Sequence, residues 1–311
     1  MPATKRQQNR MWVLAAGIAV IGLLVACWAT VSVLAGTDLS KAPRPLIGVY
    51  EPGAPTSWTP VTNFTTASGV HPKIVVYYSG WYEHFWSSFA SEALHSNATV
   101  LIQLDPQNVS LNSISAGKSD WYLSSFAKSV KKFRGAVLLS FGHEMNGVWY
   151  PWGDGYVSPA TFVAAWRHVV QVFRNERVSN VRWVWTVTSR NETAGSLRSW
   201  WPGSSWVNFV GVDGYYYTPS DTYNSVFGTM LSKIRVFSRA PVLISEVGIG
   251  PNPNRIKQIA ALYAGATSDH FSGIIWFDEA QDGGLYSQDW RLEDDPAALA
   301  AFEKAVNSCC E

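Results

Sequence analysis

Two glutamates stand where short apolar runs end. Glu144 follows Ala136-Val137-Leu138-Leu139-Ser140-Phe141 after only Gly142 and His143, and Glu246 closes Pro241-Val242-Leu243-Ile244-Ser245. A carboxylate at the tip of a buried strand carries a desolvation cost that a purely structural role rarely justifies. A pair of them is the equipment for cleaving a glycosidic bond, one protonating the leaving oxygen and the other attacking the anomeric carbon. Retention of configuration needs the two roughly 5 Å apart, closer than a spacing that leaves room for water. His143-Glu144 also opens the zinc signature H-E-x-x-H, but position 147 is Gly147 rather than histidine. No metal and no cofactor is implied.

The elements that must position these groups are legible as a repeated pattern. Short apolar runs cover Leu46–Tyr50, Lys73–Tyr78, Thr99–Leu104, Ala136–Phe141, Val181–Val187, Phe209–Asp213, Val242–Ser245 and Gly273–Phe277. Their near-continuous apolar character fits parallel strands buried on both faces. Longer helical stretches lie between them. Asp120 to Phe133 has Trp121, Phe126, Val130 and Phe133 near helical spacing, and Pro159 to Arg174 opens with Ser158 as an N-cap and proline in the first turn. Arg255 to Ala264 and Ala297 to Val306 read the same way.

This tally predicts an α/β fold, a (β/α)₈ barrel over residues 46–308, with a doubly wound open sheet as the alternative. The glycine-rich phosphate loop that often opens such sheets does not follow the first run. In a barrel, chemistry belongs at the C-terminal strand ends, where runs four and seven lie across the mouth from each other.

Aromatic residues crowd the loops after these runs. The 16 tryptophans suit either a large aromatic core or stacking platforms for sugar faces. Trp149, Tyr150 and Trp152 follow Glu144 too densely for a core helix, and Pro151 prevents one, so a cleft wall is expected there. Trp81, Tyr82 and Trp86 border the cleft either as loop packing or as a sugar subsite. Tyr50, Glu51, Gln103 and Asp105 end runs one and three, as strand caps or hydroxyl contacts. Trp200 and Trp201 read as packing.

Charge and termini bound the rest. The 24 basic and 23 acidic residues leave a net charge of +1, without the clustered Lys/Arg of a nucleic-acid surface. Lys5, Arg6 and Arg10 precede an uncharged apolar run from Met11 to Gly36, long enough to span a bilayer. Residues 1–36 therefore read as an uncleaved signal anchor or a signal peptide, with 37–45 a linker and the barrel outside the membrane. Cleavage with lipidation at Cys27 (after Leu24-Val25-Ala26), or cleavage after Val33-Leu34-Ala35, would release it as a lipoprotein or a secreted enzyme. Cys27, Cys309 and Cys310 form no metal spacing and no disulfide framework. A monomer is expected.

The run Gly142-His143-Glu144-Met145-Asn146-Gly147-Val148-Trp149-Tyr150-Pro151-Trp152-Gly153 resembles the acid/base segment of glycoside hydrolase family 26, whose members include endo-β-1,4-mannanases, mixed-linkage β-glucanases and xylanases. The resemblance extends over residues 45 to 305 and is strongest at Glu144 and Glu246. It implies a retaining endo-β-glycosidase with Glu144 as acid/base and Glu246 as nucleophile, acting on β-1,4-mannan or, alternatively, on β-1,3-1,4-glucan. It also implies substrate-binding roles for His143 and Trp149, a Tyr215 that positions the nucleophile, and Trp276 as the floor under the reacting sugar. A non-catalytic carbohydrate-binding barrel is the reading of a different class, and two intact carboxylates speak against it.

Overall fold

The computed structural model describes residues 44–190, 195–281 and 287–310. Strands β1 (Leu46–Tyr50), β2 (Ile74–Gly80), β3 (Thr99–Asp105), β4 (Val137–Phe141), β5 (Val181–Thr188), β6 (Phe209–Tyr216), β7 (Val242–Ile249) and β8 (Gly273–Phe277) close into a barrel in sequence order. β1 pairs in parallel with β8, which excludes the open doubly wound sheet. Helices α1 (Thr59–Ser68), α2 (Ser87–His95), α3 (Leu111–Ser115), α4 (Asp120–Phe133), α5 (Pro159–Asn175), α6 (Thr229–Arg235), α7 (Arg255–Ser268) and α8 (Pro296–Cys309) form the connections, and a small hairpin of β9 (Ala280–Gln281) and β10 (Gln288–Asp289) follows β8. Ser158 caps α5 as its sequence suggests, its Oγ accepting from the Thr161 amide at 3.1 Å.

Alternation along each strand splits the core in two. Val49, Val75, Ile102, Leu139, Val212, Ile244 and Trp276 face the helices, in one continuous core with α-helical residues such as Phe126, Trp166 and Phe302. Leu46, Ile74, Leu101, Leu138, Val184, Phe209, Leu243 and Ile275 fill the barrel interior. They come from the first halves of their strands, so the floor is an apolar plug. Above it the interior turns polar: Gln103, Ser140, Thr186, Asp213 and Ser245 are all buried. Gly211 leaves room for this layer, since a Cβ there would lie 2.5 Å from Ser245 Oγ and 2.7 Å from Thr186 Oγ1.

β7 breaks the alternation once. Val212 of β6 pairs with Ile244, but the next residue, Asp213, pairs with Glu246, so Ser245 is an inserted bulge residue. Leu243 faces the barrel interior and Ile244 the helices. Strict alternation would then send Ser245 inward and Glu246 outward. The bulge instead turns Glu246 toward the mouth and Val247 into the helix-facing core.

Two expectations need correction here. Trp121 is not a core residue of α4, whose buried face is Tyr122, Leu123, Phe126, Ala127 and Val130; the tryptophan is 69% exposed. Trp276 does not floor the cleft. It is wholly buried, packs on Phe302 of α8 and donates Nε1 to the Trp290 carbonyl at 2.9 Å. Its parity in β8 is that of Ile274, which faces the helices. The apolar run 11–36, Cys27 and the linker up to residue 43 lie outside the described residues. Among the described residues, no helix is long and apolar enough to cross a membrane.

Candidate active site

The mouth of the barrel holds a cavity of about 410 Å³, with Glu144, Glu246, Tyr78, Trp149, Tyr215 and Phe277 among its walls. That is room for a sugar residue and its neighbours, within the usual range of ligand sites. Its two carboxylates reach it by different routes.

Glu144 stands three residues past β4 with φ of +52°, a left-handed conformation that costs a non-glycine residue on the order of 1 kcal/mol. The turn is pinned from both sides: the Glu144 amide donates to the Thr186 carbonyl at 3.1 Å, and the Gly142 amide to the Leu104 carbonyl at 3.0 Å. Trp149 folds back over this turn and donates Nε1 to Glu144 Oε2 at 2.8 Å. Gly147 makes that possible, because a Cβ there would sit 2.4 Å from the Trp149 ring. Burial, then the charge of Glu246, pushes the Glu144 pKa up to about 7, against the opposing pull of His143 and the Trp149 hydrogen bond.

Glu246 is held by two phenols. Tyr78 OH donates to Oε1 at 2.5 Å and Tyr215 OH to Oε2 at 2.7 Å. Burial raises its pKa as well, but His143 and the two tyrosine hydrogen bonds act in the opposite direction. Both oxygens of Glu246 therefore accept charge-stabilising hydrogen bonds from phenols, whereas Glu144 is supported by the Trp149 indole and the Thr188 hydroxyl.

His143 lies behind the pair rather than in the cleft. Its Nδ1 contacts Asp105 Oδ1 at 2.7 Å and its Nε2 contacts Tyr150 OH at 3.2 Å. Burial alone would pull the imidazole pKa down; the Asp105 carboxylate and its hydrogen bond, with the charges of Glu246 and Glu144, together outweigh it and lift the value to about 9. A positive charge is thus fixed beneath two carboxylates, where it favours their ionised forms. Deeper still, Asp213 accepts from Ser245 Oγ at 2.6 Å. Burial, then the charges of Glu246 and Glu144, raises the Asp213 pKa well above the ordinary carboxylate value.

Of the residues expected from sequence, Glu144, Glu246, Trp149 and Tyr215 share the cleft, His143 supports it from below, and Trp276 is elsewhere. Sequence reasoning did not pick out Tyr78, Phe277 or Glu279. Parity was the available signal for two of them: Tyr78 and Phe277 each lie two residues beyond an inward-facing Val76 or Ile275. Asp105 is buried and contacts His143 Nδ1. Trp152 is core, stacked under Tyr150 at 4.5 Å and donating to the His143 carbonyl at 2.8 Å. Trp200 and Trp201 pack on Phe162 and Trp185, as expected. Among the described residues no cluster of His, Cys, Asp and Glu is arranged to hold a metal ion.

A parallel eight-stranded barrel with two carboxylates converging at its C-terminal mouth defines the glycoside hydrolases that act through a carboxyl pair. Comparison with known proteins narrows the class. Glycosyl hydrolase family 26 matches residues 100–305, and the chain belongs to that family. It is 29% identical over 275 residues to endoglucanase H of Acetivibrio thermocellus, covering 82% of this chain and 30% of that protein. It is 35% identical over 137 residues to the mannan endo-1,4-β-mannosidase A and B of Caldalkalibacillus mannanilyticus, covering 41% of this chain and 26% of that protein. The chain thus spans about a third or less of the length of these relatives. The fold is that of the family 26 β-mannanase of Bacteroides ovatus, at a TM-score of 0.64 and 15% identity over 86% of this chain and 90% of the other.

Proposed function

We propose that this chain is a retaining endo-β-glycanase that cleaves β-1,4-mannan by double displacement. The observation that carries the reading is the unequal support of the two carboxyls: Glu246 accepts from Tyr78 and Tyr215, while Glu144 is pushed up to about 7 and faces the same cavity. Glu246 carries the charge and attacks the anomeric carbon. Glu144 gives its proton to the departing glycosidic oxygen. The resulting ester removes the charge of Glu246, which lowers the pKa of Glu144 and readies it to take a proton from water. That water attacks the anomeric carbon, the ester bond breaks, and the sugar leaves with its original configuration.

A β-glucan is the second reading of the substrate, favoured by the similarity to an endoglucanase over 82% of this chain. Incubation with galactomannan, lichenan and β-1,3-xylan, followed by sizing of the products, separates the two and distinguishes endo from exo cleavage. NMR of the first product tests the chemistry: an inverted anomer would remove Glu246 from the nucleophile role. Lys5, Arg6 and Arg10 before the uncharged run from Met11 to Gly36 support an enzyme working outside the cytoplasmic membrane. Cell fractionation and the mass of the mature N-terminal peptide check whether that run is kept, cut, or lipidated at Cys27.

A further inference from the structure

Two exposed aromatic rings stand on the same rim as the cleft without a part in its chemistry. Tyr82 lies two residues past β2, and Trp121 is the second residue of α4, whose other end leads directly into the bottom of β4. Both are therefore on the face of the barrel that carries the carboxylates. The rings are stacked at 5.6 Å with planes 9° apart, and the side chains are 50% and 69% exposed. Single exposed apolar side chains need no explanation. A coplanar pair held in place is different.

Tyr82 is held at φ of +74°, a conformation that is a true outlier for a bulky residue. Its hydroxyl lies 3.3 Å from the buried Ser119 Oγ, which also receives Trp81 Nε1 at 3.4 Å. Its ring edge packs against Tyr122 at 5.3 Å. Backbone strain is thus maintained for a ring that faces solvent, a combination that folding alone does not call for.

The path from the pair to the cleft is short and polar. Tyr78, which touches Glu246, is four residues before Tyr82, so their Cα atoms are no more than about 14 Å apart. Between them Gly80 pairs with Asp105, the partner of His143. Over Gly80 lie the side chains of Glu83 and Gln107, whose Oε1 atoms would be 3.2 Å and 3.9 Å from a Cβ placed there. A carboxylate and an amide beside an open ring face is the chemistry that binds a pyranose: hydroxyls to the polar groups, C–H face to the ring.

We propose that Tyr82 and Trp121 form a distal binding site for the β-linked glycan chain as it leaves the cleft past Tyr78. This rests on the reading of the cleft as a β-glycanase site. The expected signature is dependence on chain length. Trp121→Ala lowers kcat/KM on polymeric substrate about five- to tenfold, chiefly through KM, and leaves the shortest cleavable oligosaccharide at the wild-type value. Tyr82→Gly, which tolerates the positive φ, does the same, and Trp121→Phe recovers most of the loss. Equal loss on short and long substrates would mean a structural role, and no loss on polymer would mean no contact; either overturns the proposal.

Binding is read separately from turnover. The inert Glu246→Ala protein is run in gels containing galactomannan or lichenan, with and without Trp121→Ala. Retardation that Trp121→Ala weakens supports the site even if no glycan tried is cleaved. Retardation that it leaves unchanged, or none in any gel, overturns it. A wild-type enzyme that cleaves no β-glycan would instead count against the reading of the cleft.

Discussion

The ends of β4 and β7 deliver the same side chain to the same cavity and make different acids of it. At β4 the chain leaves the barrel in a strained left-handed turn, and Glu144 meets the Trp149 indole and the Thr188 hydroxyl. At β7 the chain stays in the sheet, and an inserted Ser245 turns Glu246 inward between two phenols. Burial raises the pKa of both. The hydrogen bonds of Tyr78 and Tyr215 and the charge of His143 favour the ionised form of Glu246, while burial and then the charge of Glu246 push Glu144 up to about 7. In the proposed reaction, environment rather than residue type separates acid from nucleophile.

The largest test of this contrast removes each carboxyl and supplies azide. Glu246→Ala should lose roughly 10⁴-fold or more in kcat, and azide should restore turnover with formation of the α-glycosyl azide. In Glu144→Ala, azide should give the β-glycosyl azide on a substrate with a good leaving group. Reversed products, identified by NMR, would exchange the two roles. Glu144→Gln on a polysaccharide should cost roughly 10²- to 10⁴-fold.

Next in size are the phenols. Tyr78→Phe or Tyr215→Phe removes a donor to the charged form of Glu246, costing about 1.5 to 3 kcal/mol each, or roughly 10- to 100-fold in kcat. Each raises the Glu246 pKa, so the acidic limb of the pH–rate profile moves up. A limb that stays in place would show that the phenols do not hold the charge.

The basic limb should lie near 7, where Glu144 loses its proton. Asp105→Asn removes the carboxylate that keeps His143 protonated, and with it a charge that favours ionised Glu144. The limb should then move to higher pH. A downward shift, measured with a small chromogenic glycoside, would break the assignment.

The smallest effect is on stability. A carboxyl whose folded pKa is raised stabilises the fold below its unfolded pKa of 4.5 and loses that advantage as pH rises through about 7. Glu144→Gln should therefore melt about 2–4 °C above wild type at pH 8 and show no such gain at pH 4. Equal shifts at the two pH values would point to packing instead.

Much of the barrel was legible because burial on both faces writes itself as apolar runs, and the eight runs named from sequence are the eight strands. Their ends were less so. β6 and β7 continue to Tyr216 and Ile249, past the polar residues at which the apolar signal stops, because the barrel wall continues while its interior turns polar. Trp276 misled because its neighbour Phe277 is also aromatic, and only the parity set by Ile275 says which ring enters the cleft. Trp121 and Tyr122 present the same ambiguity, with the tyrosine buried and the tryptophan exposed.

By itself the sequence determined the eight strands, their polar tips and the placing of two glutamates at strand ends, since these follow from local pattern along the chain. The tertiary structure decided which way the tips point. A bulge turned Glu246 inward, a glycine at position 147 let Trp149 reach Glu144, and Asp105 from a neighbouring strand charged His143. The bulge and the Asp105–His143 contact join residues far apart in the chain. The Trp149–Glu144 contact is local but hangs on a turn pinned by Leu104 and Thr186, so the electrostatics of the proposed acid and nucleophile exist only in the folded barrel.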